Sequence, residues 1–115
     1  MQFLALLVFV MVALFGLYLV KRRKNNKKVN RFMIGSHGVA GCIGLLLLFM
    51  GQLRGYWSDW GWISVGLFSL LLIFGFLVFG KLFKQRKTPS LIIAIHGVFA
   101  TACIGVLTYS LIMVN

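Results

Sequence analysis

The chain has 115 residues, 61% hydrophobic and only 11% charged, which leaves room for one domain and is too apolar for a water-soluble protein of this size. Twelve Lys and Arg stand against a single acidic residue, Asp59, for a net charge of +11. Nearly all of that charge lies in two short connectors between apolar runs. The preference of basic loops for the cytoplasm accounts for it without nucleic acid as a partner, and one carboxylate is too few for a Ser-His-acid hydrolase.

Four apolar runs follow one another at 2–20, 32–50, 61–80 and 90–112. Each is close to the ~20 residues that cross ~30 Å of hydrocarbon as helix. Helix is what separate runs of this length must form there, because every backbone polar group has to be satisfied internally. The first run lacks a basic leader and a small-residue cleavage site, so it reads as an uncleaved span. The connector "KRRKNNKKVNR" then carries seven basic residues, and the third connector, "KLFKQRKTPS", carries four. The middle one, "GQLRGYWSDW", holds only Arg54 and Asp59 as charged groups. Connectors one and three are therefore expected in the cytoplasm, with both termini and the middle connector outside and a bacterial inner membrane as the setting. Tyr56, Trp57, Trp60 and Trp62 cluster at the outer edge as an interfacial aromatic belt, and Pro89 suits the first turn of the fourth helix. Cys42 and Cys103 lie within apolar runs and read as buried, inert thiols.

A shift of 59 residues aligns the two halves without a gap from residue 14 to residue 39. "LFG" at 14–16 falls on "IFG" at 73–75, and "HGV" at 37–39 falls on "HGV" at 96–98. The repeating unit is a two-span hairpin, 1–56 and then 60–115. An even number of spans gives both copies the same orientation, so the expected fold is an all-α membrane four-helix bundle made of two parallel repeats. The same symmetry puts His37 and His96, the only histidines in the chain, at one depth. Each lies about 9 Å inside the end that carries the basic connectors, at 1.5 Å per residue, and the two can face each other across the bundle.

Ionisable side chains inside a membrane are costly and usually functional. Two facing imidazoles suit the axial positions of a haem iron, in an apolar pocket that tunes its potential. Gly38 and Gly97 follow the histidines directly, with Gly41 and Ala100 one turn on, and small side chains there would let a flat macrocycle lie close. Phe32, Phe15, Phe74 and Phe99 are candidates to line the pocket. The basic connectors, with Lys28, Arg31 and Lys87, stand where propionates would pair with them.

A four-helix membrane bundle with histidines on paired helices resembles the small membrane b-type cytochromes. The resemblance rests on the architecture and on His37 and His96. It implies a non-covalent b haem and an electron-transfer or oxidoreductase component, with a quinone or a redox protein as partner. Covalent attachment is excluded, because the chain has no Cys-x-x-Cys-His. Many such cytochromes carry four ligand histidines for two haems, whereas this chain supplies two. One haem per chain is the expectation, unless subunits of a homo-oligomer share ligands.

Other readings remain open at this level. Histidines of this kind also pack helices by hydrogen bonding, or relay protons in a transporter. The small multidrug exporters are similar in size but depend on a membrane glutamate, and this chain has none. A small non-catalytic subunit or assembly factor is consistent with loops too short to hold catalytic groups. A bare zinc site would need further ligands.

Overall fold

The computed structural model describes residues 2–25, 27–28, 31–54, 59–85 and 90–114, with side chains for all of these except 31, 78–90 and 114. They form four helices: α1 (Gln2–Lys24), α2 (Arg31–Leu53), α3 (Asp59–Gln85) and α4 (Ser90–Val114). Each is long and apolar enough to cross a membrane. Two helices outrun their apolar segments at the basic end, α1 by Lys21–Lys24 and α3 as far as Gln85. Lys and Arg are good helix formers, and cations in a last turn complement the helix dipole, so the helix continues through the first of the basic residues. Asp59 opens α3, where the opposite sign is favoured. Pro89, Tyr56 and Trp57 lie outside the described residues. Trp60 and Trp62, the other members of the aromatic cluster, pack edge-on against Tyr109 and Phe49 with ring centres 5.0 and 6.0 Å apart.

The helices run up and down around a rod of 44 × 19 × 18 Å. α1 packs on α2, α2 on α3, α3 on α4 and α4 back on α1. The diagonal partners, α1 with α3 and α2 with α4, meet only through side chains at the centre. Large apolar residues cover the outside: Phe3, Phe32 and Val98 are 77%, 81% and 72% exposed. In water such a surface would drive aggregation; against lipid tails it carries no penalty. The chain is a four-helix bundle with the surface of a membrane protein.

The interior repeats with the 59-residue offset well beyond the region where the sequence aligns visibly. Six pairs of equivalent positions are buried on both sides: Gln2 and Gly61, Ala5 and Ser64, Phe9 and Phe68, Gly44 and Cys103, Leu48 and Leu107, Gly51 and Ser110. Phe9 and Phe68 stack face to face on the bundle axis, with ring centres 3.7 Å apart and planes 9° from parallel. Gly44 makes room for that stack, since a Cβ there would come within 2.9 Å of the Phe9 ring. Lipid is as apolar as leucine, so helix association in a membrane rests on close fit of this kind rather than on burial from water. The inward stripe of α2 runs through His37, Gly41, Gly44 and Leu48, and that of α4 through His96, Ala100, Cys103 and Leu107, at the three-and-four spacing of one helix face.

Candidate functional site

That stripe carries His37 and His96 into the centre. They sit on diagonally opposite helices, and their ring centres are 6.4 Å apart with planes at 65°. Each ring is flanked by the phenylalanine of its own hairpin partner: Phe15 on α1 lies 6.2 Å from His37, and Phe74 on α3 lies 5.8 Å from His96. These two contacts are also related by the 59-residue offset.

Next to each phenylalanine is a glycine that gives the imidazole its space. A Cβ on Gly16 would come within 2.9 Å of His37 Cε1, and a Cβ on Gly75 within 3.1 Å of His96 Cε1. Both distances are shorter than carbon–carbon contacts normally allow. At the histidine level α1 and α3 therefore present bare backbone, while α2 and α4 present the two imidazoles. Gly16 and Gly75 are the ring-flanking positions that reasoning from local sequence passed over. Their signal was the repeated Phe-Gly of "LFG" and "IFG", which marks the helix that receives the ring rather than the helix that bears it.

Both histidines hold a buried nitrogen, Nδ1, with no hydrogen-bond partner. A buried polar atom left unclaimed costs roughly 1–3 kcal/mol, and here two of them stand as a matched pair at the centre of the bundle. Among the described residues no third His, Cys, Asp or Glu joins the two rings.

The remaining candidate residues lie at varied distances from this centre. Gly41 is buried one turn along α2, where an added Cβ would touch Leu72 Cδ1 at 3.5 Å, and its equivalent Ala100 is half-buried. Phe99 is half-buried and packs against the apolar core. Gly38 and Gly97 border open space: a Cβ at either would meet nothing within 4 Å. Phe32 faces outward and is 81% exposed. The carbonyl of Lys28 accepts hydrogen bonds from Arg22 Nη2 and Nε at 2.8 and 3.3 Å. Arg31 begins α2, its side chain beyond description, and Lys87 lies outside the described residues.

A second polar group occupies the far end of the bundle. Gln2 Nε2 donates to Gln52 Oε1, both residues are buried, and the Gln52 amide lies where a side chain on Gly61 would otherwise stand. Amide pairs of this kind bind helices together inside a membrane. No family model matches the chain, and neither curated proteins nor solved structures provide a match.

Proposed function

We propose that this protein is a membrane b-type cytochrome in which His37 and His96 hold a single haem iron and through which electrons pass. The observation that carries the reading is the histidine pair on the bundle axis, with a buried and unclaimed nitrogen on each ring. Two imidazoles are a donor set that haem iron takes, and here their ring centres stand 6.4 Å apart. In chemistry the two donors suit the group. His37 and His96 would hold the iron, and Gly16 and Gly75 would leave the flanks of the rings free of side chains from α1 and α3. Phe15 and Phe74 would keep water from the centre. When bound, haem supplies reversible one-electron transfer; the chain itself contributes orientation, an apolar surround and a closed coordination sphere.

The direct test is an optical spectrum of detergent-purified protein. Reduced protein should show the sharp alpha and beta bands of a six-coordinate low-spin haem, because two strong-field nitrogen donors leave no open position. Colourless protein, isolated from haem-replete cells and unable to take up added haemin, would overturn the reading. The histidines would then serve helix packing or proton relay.

In the same proposal, connectors one and three lie in the cytoplasm, both termini lie outside, and a quinone or a redox protein exchanges electrons with the haem. Cysteine introduced at Asn25 should resist a membrane-impermeant thiol reagent in intact cells, while cysteine at Asn115 should react. The opposite labelling would reverse the orientation.

A further inference from the structure

Eleven of the twelve basic residues fall in the two connectors or the helix turns beside them, and Arg54 alone lies elsewhere. The one acidic residue, Asp59, opens α3 at the opposite end. No carboxylate side chain within the chain can neutralise the basic end. At Lys27 and Lys28 the chain is nonetheless tied back to α1 rather than splayed by its own repulsion. Lys27 N–H donates to the Arg22 carbonyl at 2.9 Å, the six-to-one bond that stops a helix and turns the chain back. Arg22 then fastens the turn from its side chain. Nε and Nη2 both donate to the Lys28 carbonyl, Nη1 donates to Tyr18 Oη at 3.3 Å, and the guanidinium lies 5.9 Å from the Tyr18 ring centre. Arg22 is thus spent on shape, while Lys21, Lys24, Lys27 and Lys28 remain exposed around it.

From this we infer that the end of α1, together with Lys27 and Lys28, is a built binding site for the phosphate headgroups of anionic phospholipids, with Arg22 as its positioning residue and Lys21, Lys24, Lys27 and Lys28 as its contacts. The location favours lipid over other anions. Tyr18, Lys21 and Lys24 sit in the last turns of a membrane helix and Lys27 and Lys28 just beyond it, the juxtamembrane position at which a basic cluster attracts anionic lipid. Holding the Lys27–Lys28 backbone to α1 keeps those ammonium groups within reach of one headgroup together with Lys21 and Lys24. A flexible loop of equal charge would have to order itself on binding. The inference does not depend on haem.

The test uses the full chain in phosphatidylcholine bilayers, with spin-labelled phosphatidylglycerol or spin-labelled phosphatidylcholine as the probe. The readout is the fraction of label immobilised at the protein surface. Phosphatidylglycerol should be immobilised several-fold in excess of phosphatidylcholine, and the excess should shrink as salt is added. Replacing Lys21, Lys24, Lys27 and Lys28 together by Gln should remove most of it. Arg22→Lys keeps the charge but loses the planar fork that grips one carbonyl from two nitrogens, and it should lower the excess clearly. Tyr18→Phe, which removes only the hydroxyl that Arg22 touches, should lower it less, with helicity unchanged in both. Equal immobilisation of the two lipids by the native chain would overturn the inference. So would native behaviour of Arg22→Lys, which would mean diffuse charge without a built site. Displacement of labelled phosphatidylglycerol by inorganic phosphate at matched ionic strength would reassign the site to free anions.

Discussion

The two ends of the bundle treat the internal repeat differently. At the histidine end the two rings and the residues that flank them are matched by their own kind 59 positions on: Phe15 by Phe74, Gly16 by Gly75, His37 by His96. At the far end the equivalents have parted. Gln2 corresponds to Gly61, and Gln52 to Leu111, and the amides of one repeat fill the space left by the glycine of the other. Where two identical rings meet on the axis, each needs the same clearance from its neighbouring helix, and both copies keep the same residues. An end that needs only to be closed accepts any complementary filling, and a large side chain opposite a glycine serves as well as two of medium size.

The sharpest way to break this comparison is to remove one histidine. His37→Ala and His96→Ala should each abolish the low-spin haem spectrum, because one imidazole leaves the iron five-coordinate. Absorbance of reduced, purified protein reads the outcome, with helicity by circular dichroism as the check on folding. A variant that kept the full spectrum would show that the matched residues do not share one ligand.

Next in size is the space around the rings. Gly16→Leu or Gly75→Leu places carbon against an imidazole already in contact, and should reduce haem content several-fold. Gly38→Leu and Gly97→Leu add their side chains to open space and should leave it near the native level. Haem-to-protein ratio after purification measures both pairs, and equal loss in the two would argue against the assignment of Gly16 and Gly75.

Midway along the rod, Phe9→Ala removes half of the stacked pair that joins α1 to α3 across the axis. In soluble cores such truncations cost about 3–5 kcal/mol. Here the loss should be about 2 kcal/mol, since transfer of the ring to lipid contributes little and what goes is packing. Reversible unfolding in mixed micelles with rising dodecyl sulfate would measure it. The smallest effect belongs to the far end. Gln52→Leu should cost about 1 kcal/mol, near the measured worth of polar contacts between membrane helices, and should leave the haem spectrum unchanged. A spectral change there would join two ends that the comparison separates.

The number of helices, the positions of their apolar runs and the existence of the repeat were legible in the amino-acid sequence. The physical reasons are strong and local: a membrane demands about 20 apolar residues per span, and a duplicated His-Gly-Val motif is hard to reach by chance. The helix ends were less legible, because Lys21–Lys24 stop being apolar before they stop being helical. Among the candidate pocket residues, reasoning from one helix placed the clearance at the glycines following each histidine. The room for the imidazoles themselves comes from Gly16 and Gly75, on the neighbouring helix of each hairpin.

By itself, then, the sequence determined what each helix is made of, which residues repeat, and that two histidines must share a depth. Whether those histidines meet depends on how far each helix is rotated about its own axis. On helices apolar all round, the apolar pattern says little about that rotation, because lipid and protein interior are equally apolar. Close fit decided it instead: Phe9 against Gly44, Gln52 against Gly61, His37 against Gly16 and His96 against Gly75. Each joins residues on different helices that no local pattern connects, and together they turn α2 and α4 so that both imidazoles point at the axis.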